Sequence, residues 1–80
     1  MSILKVSTRQ VKAARALLNW SQQDLADEAN VSIATVKRLE SDDGDLKGRE
    51  ETARKLRAAL QAAGIEFLEG SAGTGVRLRK

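Results

Sequence analysis

The chain is short and mildly basic, with 80 residues, a formal net charge of +3 and neither cysteine nor histidine. This composition excludes disulfides and zinc-finger ligation and removes the commonest catalytic base, so we expect neither an enzyme nor a metal or cofactor site. A single core of this size supplies only about 3–5 kcal/mol of stability, and we therefore expect a homodimer.

Three helix starts share one pattern, in which an apolar residue precedes a serine and a second apolar residue follows four positions after it. Such a serine accepts from the free backbone N–H groups of the first turn, while the apolar pair packs across it. Gln10 adds a capping-box partner to Ser7, and Asp24 places a carboxylate in the positive first turn after Ser21. The pattern predicts helices over residues 8–18, 22–29 and 33–40. Its three instances are Val6-Ser7 with Val11, Trp20-Ser21 with Leu25, and Val31-Ser32 with Val36.

The segment 41–45 between the third and fourth helices is acidic, as many calcium-binding loops are. Aligning Gly44 with the glycine of such a loop places the first ligand position on Leu39, which has no side-chain oxygen to offer. We therefore expect a solvated loop that supplies N-cap oxygens to the fourth helix.

A fourth helix and a β-hairpin complete the predicted elements. Helical spacing extends over residues 49–63 with Leu56 and Leu60 inside, and Gly64 is a suitable stop because glycine adopts the left-handed conformation. Two short strands, 65–69 and 76–79, flank the glycine-rich segment 70–75. A lone hairpin is marginal in water, so this one packs on the fourth helix or pairs with a second chain; alternatively it carries Arg77, Arg79 and Lys80 to phosphate.

The turn between the second and third helices indicates a close approach of the two. Ala26 is small where the helices meet, and Asn30 tolerates the left-handed conformation where the chain reverses. Val36 and Leu39 return the third helix to the core. Its exposed side then carries Ile33, Ala34, Lys37 and Arg38.

The residue types at these positions resemble those of the lambda-repressor-like, or Cro/XRE-type, helix-turn-helix family. The resemblance covers residues 8–63 and implies a mainly α, compact domain of four to five helices, to which the C-terminal β-hairpin is an addition. Asn30 stands where the family usually has glycine, and Ile33-Ala34 stands where many members have polar base-reading residues. The residues that occupy the family's key positions are Arg15, Trp20, Ser21, Gln22, Ala26, Asn30, Val31, Val36, Leu39 and Glu40.

The resemblance also implies how DNA is bound, with the third helix in the major groove and the second spanning the backbone. Arg38 is the leading candidate for a bidentate contact to guanine, and Ile33 or Ala34 for a thymine methyl group. Lys37 contacts either a base or a phosphate. An ion pair of Arg15 with Glu40 would tie the first helix to the third. The implied base-reading residues are Ile33, Ala34, Lys37 and Arg38, and the implied phosphate-contacting residues are Gln22, Ser32 and Thr35.

The chain is therefore expected to be one domain, 1–80, with a helical core over 7–63 and a possible dimerisation hairpin over 65–80. The favoured function is sequence-specific binding of double-stranded DNA by a dimeric transcriptional repressor on a pseudo-palindromic operator. The alternative is an antitoxin or anti-repressor that kept the fold as a protein-interaction module. No apolar run approaches the roughly 18–20 residues of a membrane span, and no signal-peptide pattern opens the chain. We expect a cytoplasmic protein with neither a membrane nor a small-molecule partner.

Overall fold

Four helices and one antiparallel hairpin form the described part of the chain. The computed structural model describes residues 6–41, 50–70 and 73–79. The predicted bounds of the first three helices are confirmed, whereas the fourth ends at Ala62, one residue before the predicted end. The acidic loop 42–45, the predicted helix start at Arg49, turn residues 71–72 and Lys80 lie outside the described residues. The elements are α1 (Thr8–Leu18), α2 (Gln22–Ala29), α3 (Ile33–Glu40), α4 (Glu50–Ala62), β1 (Ile65–Gly70) and β2 (Gly73–Leu78).

All three predicted serine caps are present. The Ser7 hydroxyl accepts from the Gln10 N–H, and the Gln10 side chain accepts from the Ser7 N–H in return. Ser21 forms the same reciprocal capping box with Asp24, which goes beyond the carboxylate effect predicted there. Ser32 accepts from the Thr35 N–H at 3.1 Å. The helix starts are thus fixed by local hydrogen bonds before any tertiary contact is counted.

Two asparagines end the first two helices in the left-handed conformation. Asn30 has φ 60° and ψ 46°, which confirms the conformation expected of the residue between α2 and α3. Asn19 adopts φ 59° and ψ 39° after α1, a left-handed end that was not predicted. Asparagine is one of the few side chains that tolerate this conformation. Both turns therefore form without glycine and bring consecutive helices close together.

The core lies where all four helices and the first residue of the hairpin meet. Leu56 and Leu60 of α4 are fully buried in this core, as predicted, and Trp20 is half-buried against it. Ile65 at the start of β1 is only 2% exposed, so the hairpin is attached to this core. The buried apolar residues are Val6, Val11, Ala14, Leu25, Ala26, Ala29, Val36, Leu56, Leu60 and Ile65.

The hairpin packs on two helices of its own chain. Strand β2 contacts α1, and β1 contacts α4. Phe67 pairs with Val76, and both are half-buried against the core. Packing on the fourth helix is therefore confirmed, and α1 supplies a second contact that was not predicted. Of the hairpin cations that could instead have bound phosphate, Arg77 and Arg79 both pair with Glu66 in the structure.

Candidate nucleic-acid interface

Helix α3 has one face in the core and one face in solvent. Val36 is fully buried, and Leu39 is half-buried against the core. Ala34, Lys37 and Arg38 are exposed. No described residue forms an ion pair with Lys37 or Arg38, so within the described part of the chain both positive charges face solvent. This face combines a small apolar patch with two exposed cations, which suits contact with base edges and phosphates.

Ile33 differs from its predicted position on this face. It is half-buried and packs against the core, because it is the first residue of a short helix that needs apolar burial to hold its N-terminus. Only part of its side chain is available for an external contact. The exposed residue of the apolar pair is Ala34.

The two hydroxyl groups at the start of α3 are bonded to each other. The Ser32 and Thr35 oxygens lie 2.8 Å apart, while Ser32 also caps the Thr35 N–H. One of their two protons is used in the mutual bond, and the other remains to be donated. Ser32 is exposed and Thr35 is half-buried. The pair therefore presents one hydrogen-bond donor beside the N-terminus of α3.

An ion pair of Arg15 with Glu40 joins α1 to the end of α3, as the resemblance implied. The guanidinium donates to both carboxylate oxygens at 2.8 Å, and its third nitrogen donates to the Trp20 carbonyl oxygen at 3.0 Å. The Glu40 side chain is only 4% exposed. A bidentate, largely buried pair of this kind restricts geometry more than a surface ion pair does. It fixes the C-terminal end of α3 relative to α1 and the α1–α2 turn.

Gln22 joins this ion pair from the first turn of α2. Its amide nitrogen donates to Glu40 Oε1 at 3.0 Å, so the residue is bonded to α3 as well as half-exposed to solvent. Gln22 was predicted to lie near phosphate, but its bond to Glu40 was not predicted. Gln22 and Glu40 each occupy a key position of the resemblance, but they lie on different helices and no local spacing in the sequence links them.

The contact of Thr8 with the end of α3 was also not predicted. It is fully buried, and its hydroxyl donates to the Leu39 carbonyl oxygen at 3.2 Å. This carbonyl belongs to the last turn of α3, where helical carbonyls have no partner within the helix. Helix α1 thus holds the end of α3 through both Thr8 and Arg15.

Two kinds of feature do not occur among the described residues. They contain no cluster of three or more side chains that could hold a metal ion. None of their helices is both long enough and apolar enough to traverse a bilayer.

The comparisons with known proteins identify the arrangement. A family model described as helix-turn-helix matches residues 11–66, which extend from the first turn of α1 into β1. The comparison with curated proteins finds no match. Most of the hairpin lies beyond the matched segment.

Proposed function

The chain belongs to the Cro/XRE-type helix-turn-helix family of DNA-binding regulators, and from this membership we propose that it is a sequence-specific, dimeric transcriptional repressor. The outward face of α3 supports this function most strongly, because Lys37 and Arg38 are exposed on it while Val36 on the opposite face is fully buried. Helix α3 enters the major groove, and α2 crosses the backbone. We also propose that this repressor acts in the cytoplasm.

Base reading is assigned to the outward face of α3. Arg38 donates two hydrogen bonds to a guanine, a contact worth about 1–3 kcal/mol of discrimination. Ala34, with the exposed part of Ile33, packs on a thymine methyl group. Lys37 neutralises a phosphate or reads a neighbouring base, and the salt dependence of binding distinguishes the two.

Phosphate contacts are assigned to the starts of α2 and α3. Gln22 donates from its amide, and the Ser32–Thr35 pair donates its remaining hydroxyl proton. Both groups stand beside helix N-termini, where the backbone dipole favours an anion. These contacts position the domain on the duplex, while α3 supplies the specificity.

We further propose that two copies bind a pseudo-palindromic operator. Their α3 helices then lie about 34 Å apart, one turn of DNA. The outward face of the hairpin supports self-association because Leu68 on that face is 40% exposed. Each strand of the two-stranded sheet also leaves one edge without a neighbouring strand in the described part of the chain.

Selection of bound duplexes from a random-sequence pool tests this function on the full chain. We expect enrichment of one motif with two-fold symmetry, a steep loss of affinity as salt is raised, and a solution mass of two chains. Absence of salt-dependent DNA binding would overturn the proposal.

The antitoxin or anti-repressor alternative rests on the same exposed hairpin face. An extended segment of another protein could add to an open edge of the sheet, beside Leu68. A protein that worked in this way alone would bind no DNA in the selection.

A further inference from the structure

Glu40 accepts hydrogen bonds from two other helices at once. Arg15 of α1 donates to both of its oxygens, and Gln22 of α2 donates to Oε1 at 3.0 Å. The carboxylate is almost completely buried, and Glu40 is the only described residue that bonds to the Gln22 side chain. The end of α3 is therefore connected directly to the side chain proposed to meet a phosphate.

The chemistry of an amide makes this connection significant. A glutamine side chain ends in a carbonyl oxygen, which only accepts, and an NH₂ group, which donates two hydrogen bonds. A phosphate needs a donor and repels the carbonyl oxygen. An ionised carboxylate only accepts, so Glu40 bonds the NH₂ end of Gln22 and holds the amide in one orientation. One N–H is then used by Glu40, and the second remains for another acceptor.

We infer that Glu40 is a positioning residue for the phosphate contact of Gln22, and this inference rests on the proposed DNA-binding function. Arg15 keeps the carboxylate in place through its bidentate bond. Glu40 holds the Gln22 amide in the donating orientation before DNA arrives. The affinity gained is the cost of immobilising one long side chain, which is met during folding and no longer opposes binding.

A double-mutant cycle on DNA affinity tests the inference. The probe is a fluorescein-labelled duplex selected from a random pool by the wild-type protein. Gln22→Ala is expected to weaken binding about tenfold, the loss of a hydrogen bond to a charged group. Removal of the carboxylate by Arg15→Met with Glu40→Met, which strands no charge, is expected to weaken binding about fivefold when Gln22 is present. The same pair of changes is expected to weaken binding less than about twofold when Gln22 is already alanine.

Two further variants separate positioning from a general structural effect. Gln23 is the matched control, because it is the neighbouring glutamine on α2 and bonds to exposed Asp27; Gln23→Ala is expected to change affinity less than about twofold. Glu40→Gln keeps one acceptor oxygen, so its affinity is expected to lie between those of the wild type and the methionine pair. It replaces the methionine pair in the cycle if that pair fails to fold.

The salt dependence of DNA affinity distinguishes the loss of the Gln22 contact from a distorted fold. Gln22 is neutral and displaces no counterion, so the slope of log affinity against log salt should be the same in wild type and Gln22→Ala. Equal losses from removing the carboxylate in both backgrounds would overturn the inference, as would wild-type affinity in Gln22→Ala. Both results leave DNA binding itself standing, whereas a wild-type protein that selects no duplex overturns the proposed function too.

Discussion

The side chain of Gln10 on α1 donates to the carbonyl oxygen of Gly75 on β2 at 3.0 Å, across 65 positions of sequence. The same amide nitrogen donates to the carbonyl oxygen of Leu68, the residue paired with Gly75 in the hairpin. The side-chain carbonyl oxygen of Gln10 accepts from the Ser7 N–H in the capping box. One buried amide thus caps α1 and attaches the hairpin to it.

Replacing Gln10 with alanine is expected to destabilise the domain by about 1–3 kcal/mol. The change removes the side chain that accepts from the Ser7 N–H and donates to two hairpin carbonyl oxygens, and all three bonds are partly buried. Urea unfolding measures the difference. Gln23→Ala is the control, since it removes one exposed bond and should shift stability by less than about 0.5 kcal/mol. Equal effects of the two substitutions would contradict this role of Gln10.

Replacing Arg15 with alanine is expected to cost about 3–5 kcal/mol, because it leaves the Glu40 charge buried without its main partner. The joint change Arg15→Met with Glu40→Met should cost much less, since no charge is stranded. Thermal or urea unfolding of both variants measures the two costs. A joint change as costly as Arg15→Ala would show that the pair contributes net stability through its charges.

Replacing Gly64 with alanine is expected to destabilise the domain by about 1–3 kcal/mol. Its φ of +107° is strained for any side chain, and an added Cβ would lie 3.1 Å from the Arg79 carbonyl oxygen. Gly75→Ala is the matched control in the same hairpin, because its added Cβ meets nothing within 4 Å. Comparable stabilities of the two variants in urea would refute the strain argument.

Replacing Leu68 with aspartate is expected to convert the proposed dimer into monomers without unfolding the domain. Leu68 lies on the outward hairpin face, and a charge there opposes apolar association between copies. Leu17→Asp is the control, because Leu17 is 46% exposed but belongs to α1 rather than to the hairpin. Light scattering gives the solution mass. If Leu68→Asp has the same mass as the wild-type protein, the hairpin is not the dimer interface.

The local elements were predictable because their signals lie within a few residues of one another. Ser7, Ser21 and Ser32 each cap the helix that follows. The left-handed conformation of Asn30 likewise follows from its residue type at a chain reversal. Asn19 is the same residue type at a helix end, but no prediction was made for it.

The tertiary hydrogen bonds were not predictable from the same patterns. Thr8 and Leu39 are 31 positions apart, and Gln10 and Gly75 are 65 apart. Periodicity indicates which face of a helix is buried but not which group of another element it meets. The half-burial of Ile33 has the same origin, since an apolar residue at a helix start satisfies both an exposed and a core-packed interpretation.

Contact between the exposed face of α3 and DNA is tested by titration of the selected duplex at several salt concentrations. Arg38→Ala is expected to weaken binding by about 1–3 kcal/mol and to relax the preference at one base pair. Lys37→Ala is expected either to reduce the salt slope by about 0.9 for each phosphate that it no longer neutralises or to relax a second base preference. Wild-type affinity, salt slope and specificity in both variants would contradict the placement of α3 in the major groove.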